Sequence, residues 1–219
     1  GIAIQIRTIK SIGTTSSTNS TENDLRDAVL RAKENYDNLY ADEEKAEKLL
    51  ENERKNATEN NGELTEIQEN IKELSTQLGL TEVIGKGVII KVDDAIVQST
   101  FDPNSTIVHD TDLISIVNEL KNAGAEAISI NEQRLVTTSA IECDGNIIKV
   151  NGEKVGAPFT IKAIGLPEVL INVNRFGGYL DNLRENRYLK VSIEKMTDKK
   201  TITIPKYTGV MKFQYAQSK

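Results

Sequence analysis

The stretch DTDLISIVNELKNAGAEAISINEQR, residues 110–134, decides the fold. Leu113, Ile116, Val117 and Leu120 recur at helical spacing and make one apolar stripe. Asp110 or Thr111 is expected to cap the start of this helix, and Gly124 its end. The run Ala127–Ile130 then reads as a strand that empties into Asn131, Glu132, Gln133 and Arg134.

Outward from this stretch, strands appear on both sides. Upstream, GKGVIIKV (85–92) puts Val88, Ile90 and Val92 on one face of a strand. Strand, helix and strand in this order predict a right-handed parallel crossover unit. Gly85-Lys86-Gly87 precedes a strand instead of following one, so it reads as a turn and not as a phosphate loop. A loop with Asp102-Pro103-Asn104 separates the strand from the helix.

Downstream, Ile141–Cys143 and Ile147–Val150 flank Asp144-Gly145-Asn146, a hairpin signal, and Asn151-Gly152 makes another turn. Phe159, Ile161 and Ala163 alternate as a further strand. Pro167 opens a helix that is interrupted at Gly177-Gly178 and ends near Asn186. Leu189, Val191 and Ile193 alternate in the next strand, and Ile202 and Ile204 follow in a short partner strand stopped by Pro205. Residues 80–219 are therefore predicted to form a ferredoxin-like α/β sandwich with a hairpin insertion.

Residues 22–79 have a different period. Leu25, Val29, Ala32, Tyr36, Leu39, Glu43, Ala46 and Leu50 alternate in steps of four and three. The same phase runs through Glu53, Ala57 and Asn60 to Leu64, Ile67, Ile71, Leu74 and Leu78. A repeat of about 3.5 residues predicts a long coiled-coil helix. Thr21-x-x-Asp24 resembles a capping box, Glu44–Lys48 and Glu51–Lys55 have supportive spacing, and Gly79 is the expected stop. A helix turn at Asn60-Asn61-Gly62 is the alternative to one straight rod, and a solvated single helix is the alternative for residues 25–57. The seam is too narrow to be stable alone, so a partner helix is implied, through Leu25, Val29, Leu39, Leu50, Leu64, Ile67, Ile71, Leu74 and Leu78.

Residues 1–10, GIAIQIRTIK, read either as a disordered tail or as the remnant of a membrane anchor with Arg7 and Lys10 at the water boundary. Residues 11–21 are a flexible polar linker.

Charge and composition exclude several function classes. Residues 21–78 hold sixteen acids against eight bases, and no basic stripe suited to nucleic acid occurs. Cys143 is the only cysteine, so no intramolecular disulfide is possible. His109 is the only histidine, and a Cys143–His109 pair would need the fold to bring them together. His109, Asp110 and Asp112 mimic metal ligands, but carboxylates at a helix start are expected from the helix dipole alone. No nucleophile–base–acid set and no cofactor fingerprint is present, so the reading is non-enzymatic, with no cofactor and no metal.

Two polar motifs keep two readings each. Asn131, Gln133 and Arg134 either satisfy a loop or line a ligand pocket, with Arg134 paired to Glu126 or Glu132 in the first case. Arg175-Phe176-Gly177-Gly178 is a helix break or a close ligand approach.

Several words resemble the bacterial DUF881 family, YlxW-like proteins often labelled division-initiation proteins. They are VNELKNAGAEAISINEQRLVTTSAI (117–141), IIKVNGEKVGAPFTIKAIG (147–165), GKGVIIKVDD (85–94) and YLKVSIE with ITIP (188–205). The resemblance implies an N-terminal membrane helix, a coiled-coil stalk and a ferredoxin-like domain outside the cytoplasmic membrane. It also implies a link to cell division or sporulation, and it supplies no catalytic residues. The expected protein is a membrane-anchored extracytoplasmic scaffold working through protein partners, possible second copies among them. A ligand-sensing domain with the 131–134 loop as pocket and the coil as transmitter is the alternative.

Overall fold

The computed structural model describes residues 19–58, 62–96, 103–145, 147–211 and 215–216. Residues 1–10, expected to be an anchor remnant or a tail, most of the expected linker, and Asn60, Asn61, Asp102 and Asn146 lie outside the described residues. The chain is α+β, with a long N-terminal helix and antiparallel sheets, in two compact units, residues 1–72 and 73–219.

Helix α1 spans Asn19–Thr58 and α2 spans Gly62–Gln77. Helix formation already at Asn19 corrects two expectations: residues 19–21 are helix, not linker, and Thr21 is inside α1 rather than at its cap. Exposed ion pairs support the helix, with Lys48 Nζ 2.5 Å from Glu44 and Lys45 Nζ 3.3 Å from Asp42. Tyr36 and Tyr40 stack at 6.4 Å. Among the described residues the apolar stripe is uncovered. Leu25, Val29, Leu39, Leu50, Leu64, Ile67, Ile71, Leu74 and Leu78 are all exposed, Leu39 by 70% and Leu74 by 56%.

Helix α2 stops at Gly79 (φ 78°). The Leu80 amide donates to Ser75 O at 2.8 Å and the Gly79 amide to Thr76 O at 3.0 Å, the two bonds of a Schellman end.

In the second unit, strands β1 (Val83–Gly85) and β2 (Gly87–Asp93) flank Lys86. A 3-10 turn (Pro103–Thr106) leads to α3 (Asp110–Asn122). Next come β3 (Ala127–Ile130), β4 (Gln133–Arg134), β5 (Ile141–Asp144), β6 (Ile147–Val150), β7 (Glu153–Val155) and β8 (Phe159–Ile164). Helix α4 (Pro167–Leu170), a 3-10 turn (Ile171–Asn174), α5 (Tyr179–Glu185), β9 (Lys190–Met196) and β10 (Ile202–Ile204) complete the order.

The main sheet runs β4-β3-β8-β2-β9 with every ladder antiparallel. Strands β2 and β3 run the same way in one sheet and are joined through α3, as the predicted parallel crossover has it, and β8 lies between them and pairs with both. The seven-residue β2 and the six-residue β8 each pair along both edges. Strand β10, expected as the partner of β9, does not pair with it. It pairs with β1 in a separate ribbon, Val83 opposite Ile204. The insertion is a third sheet, β5-β6-β7, and Asn151 and Gly152 turn its second hairpin with φ of 56° and 81°.

Alternation sorts the side chains into two cores. Val88, Ile90, Val92, Ile128, Ile130, Phe159, Ile161 and Ala163 face Leu113, Ile116, Val117 and Leu120 of α3, with Leu180 and Leu183 of α5. Burying each such aliphatic side chain contributes roughly 1.5–3 kcal/mol. Ile148, Val150 and Val155 of the insertion join this core. The other sheet face presents Ala127, Ile164, Met196 and Ile89 to Ile202, Ile204 and Val83 of the ribbon.

Candidate functional site

The Asn131–Arg134 segment is a two-residue hairpin turn. Asn131 and Glu132 both have positive φ, 46° and 68°, and Ile130 pairs with Gln133 across them. A turn with two positive φ values fits the right-handed twist of its strands, and asparagine tolerates that conformation. Asn131 also clamps the entry to β8: its Nδ2 donates to Gly156 O at 3.0 Å, and its Oδ1 accepts from the Thr160 amide at 2.6 Å. Glu132 pairs with Lys162 at 2.5 Å. Arg134 therefore does not pair with Glu132 as expected, because Lys162 stands on the neighbouring strand and reaches that carboxylate.

Arg134 is instead buried, with 4% exposure. Its Nε and Nη1 have no partner among the described residues, and burial lowers its pKa. The guanidinium lies beside the end of α2: a Cβ added at Gly79 would sit 3.4 Å from Arg134 Nε and 2.8 Å from Val136 Cγ1. A cation beside a helix C-terminus meets the negative end of the helix dipole. Ser129, opposite Arg134 in the ladder, also buries a hydroxyl with no partner among the described residues. The Arg134 carbonyl accepts from Asn151 Nδ2 at 2.8 Å, which ties the insertion to the main sheet. Gly79 O accepts from the Tyr207 amide at 2.8 Å.

A groove of about 260 Å³ lies elsewhere, between α3 and residues 135–141. Ile114, Val117, Asn118 and Lys121 form one wall, and Leu135, Val136 and Ile141 are on the other. Asn131, Gln133 and Arg134 are not part of its lining.

The polar hub that sequence reasoning missed is centred on Asp112. This carboxylate is 1% exposed. It accepts from the His109 amide at 2.8 Å, from Tyr179 Oη at 2.8 Å and from Arg187 Nη1 at 2.5 Å. Arg187 also donates to Ser105 O at 3.0 Å and Ile107 O at 2.6 Å. The 3-10 turn, the start of α3, α5 and the approach to β9 are thus joined at one charge. Asp112 at the third helical position was a visible signal, since that position commonly bonds the cap amide. Arg187, 75 residues away, gave no local pattern.

His109 is the N-cap of α3, so neither Asp110 nor Thr111 is. Asp110 accepts from the Thr111 amide at 2.7 Å and from the Cys143 amide at 2.9 Å. His109 Nε2 is 2.8 Å from Asn104 O. Cys143 is exposed, and its thiol pKa is raised, chiefly by desolvation, the opposite direction from an activated nucleophile. Among the described residues no group of three His, Cys, Asp or Glu side chains is placed to hold a metal. At Arg175–Gly178 the chain breaks between the 3-10 turn and α5. Arg175 meets Glu119 at 3.2 Å, Gly177 takes φ 68°, and Phe176 is fully outside.

A family model described as "Bacterial protein of unknown function (DUF881)" matches residues 70–217. The chain belongs to the DUF881 family. The DUF881 match covers all but the last two residues of the second unit and begins at residue 70 in α2. UPF0749 protein YlxW of Bacillus subtilis is 37% identical over 131 residues, 59% of this chain and 56% of YlxW, so the match spans about half of that relative. UPF0749 protein YlxX of the same organism is 26% identical, over 82% of this chain and 76% of YlxX. A solved structure, an uncharacterized conserved protein from Mycobacterium tuberculosis, aligns with a TM-score of 0.54 and 25% identity. It covers 68% of this chain and 99% of the solved chain.

Proposed function

We propose that this DUF881 chain is a non-enzymatic scaffold, held at the outer side of a cytoplasmic membrane by a preceding helix and acting through protein contacts. The stripe on α1 and α2 would form a coiled coil that sets oligomer state and reach. The second unit, read as a ferredoxin-like sandwich from the order β9-β2-β8-β3 with α3 and α5 on one face, would contact envelope or division proteins. Among the described residues no helix is long and apolar enough to cross a membrane, so the anchor would lie in other residues.

One observation carries this reading. Apolar residues in a 3.5-residue phase stand uncovered along α1 and α2, Leu25 by 67% and Ile67 by 48%. Stripes of this kind mark interaction surfaces. For the second unit, β9 is a seven-residue edge strand that pairs on one side only among the described residues, and a partner strand would add at the other. The opposite edge, β4, is two residues long.

Light scattering on the full chain at tens of micromolar, the range of weak complexes, tests the coil. Association is expected, and Leu39→Asp is expected to weaken it. A monomer throughout would overturn the homomeric form.

A second reading, a ligand-sensing domain, is favoured by the buried donors of Arg134 that have no partner among the described residues. A small-molecule thermal-shift screen tests it, because a ligand bound only by the folded chain raises Tm.

A further inference from the structure

We infer that the stripe on α1 and α2 is an interface for a second copy of this chain, lying antiparallel. This rests on the coiled-coil reading above and adds orientation and register to it; with the two N-termini at opposite ends, such a pair would lie along the membrane surface, and its reach is along that surface.

A parallel, in-register pair would stack each seam position on itself. That puts Glu43 against the partner's Glu43 and Glu53 against the partner's Glu53. It also sets Asp42 beside the partner's Glu47 on the flank. Like charges forced together in a seam are costly, because partial burial raises their repulsion.

One antiparallel register removes both glutamate stacks. It is centred between Glu51 and Asn52. Leu25 then faces the partner's Leu78, Val29 the partner's Leu74, Tyr36 the partner's Ile67, and Leu39 the partner's Leu64. Small Ala32 meets the larger Ile71 of the partner subunit. Glu53 meets the partner's Leu50, and Glu47 comes beside the partner's Arg54 on the flank. On the other flank Asp42 meets an acidic residue, so the flanks roughly cancel and the seam decides. Shifting the register by one heptad to align Ala46 with the partner's Leu50 returns Glu43 to the partner's Glu53.

The structure rules out meeting this match within one chain. Helix α1 is continuous through Glu51 and Asn52, so the chain does not fold back at the point about which the stripe is symmetric. The seam residues on both sides of that point are exposed, Leu50 by 50% and Leu64 by 40%. A second copy supplies the complementary half on each side.

Single-cysteine chains test the arrangement. In a Cys143→Ser background, full-length Leu39→Cys and Leu64→Cys are oxidised separately and as a mixture, with one chain size-tagged. The mixture is expected to cross-link at least about tenfold faster than either variant alone, as facing seam positions require. Self-cross-linking of each variant alone would overturn the antiparallel arrangement while leaving a coiled coil in place. No cross-link, with a monomer by sedimentation equilibrium, would overturn both. A charge-swap series gives a second readout that leaves the seam untouched. Arg54→Glu is expected to weaken association by about tenfold across its two symmetric contacts. Glu47→Arg in the same chain is expected to restore it. Absence of that rescue overturns the register, since these two residues do not face each other in the parallel pair.

Discussion

Arg187 holds the buried Asp112 carboxylate at 2.5 Å, and the same guanidinium fastens the carbonyls of Ser105 and Ile107. Removing one member of a buried ion pair strands the other, at about 3–5 kcal/mol. Asp112→Ala is expected near the lower end, about 3 kcal/mol, because Arg187 keeps its two carbonyls. Urea unfolding followed by near-UV circular dichroism measures it. A loss below about 1 kcal/mol would remove Asp112 from the centre of this hub.

Tyr179 donates to the same carboxylate. Desolvation, then the hydrogen bond to Asp112, raises its phenol above the ordinary value. A raised phenol stabilises fully below the unfolded pKa, about 10, and that contribution disappears as pH climbs through the folded value. Tyr179→Phe is expected to cost about 1.5 kcal/mol at neutral pH, the low end for a bond to a charged group. Denaturation at a series of alkaline pH values should show the wild-type advantage shrinking above pH about 10.

Gly79 combines a left-handed backbone with no room for a Cβ, which would stand 2.8 Å from Val136 Cγ1. Alanine there costs about 1–2 kcal/mol from the backbone alone, and the contact adds to it. In a Val136→Ala chain the Gly79→Ala penalty should fall back towards the backbone share. A double-mutant cycle by urea unfolding reads the difference directly, and strict additivity would deny the contact.

Asn131 has two jobs, tolerance of positive φ and two side-chain bonds to residues 156 and 160. Asn131→Gly keeps the first and loses the second, at about 1–2 kcal/mol in all. Asn131→Ala loses both and should be about 1 kcal/mol worse. Equal stabilities for the two variants would contradict this division.

Arg134 buries a charge whose Nε and Nη1 have no partner among the described residues. Arg134→Met keeps an unbranched apolar stem and removes that cost. Thermal melting should place it within about 1.5 kcal/mol of wild type, or above it. A larger loss would reveal an acceptor for the guanidinium.

Local patterns were legible where one face meets one core. The alternation of Val88, Ile90 and Val92, the stripe from Leu113 to Leu120, the Asn151-Gly152 turn and Pro167 at a helix start each have a short-range physical cause. Pairing was harder to read. Strand order depends on which edges β8 satisfies, and three-residue β1 offers no period to detect beside its ribbon partner β10. The polar hub joins residues far apart in sequence, while the Asn131 turn was visible only as a polar cluster. Its two positive φ values are set by the strands that it connects.

The position of β8 has a consequence for synthesis. Strands β2 and β3 are made early, yet each finds its ladder only when residues 159–164 arrive to lie between them. Before then, of that sheet, only the two-residue pairing of β3 with β4 can close. A nascent chain must keep two aliphatic ribbons apart from unrelated neighbours until its middle strand emerges, so pausing translation near residue 156 should maximise recruitment of chaperones.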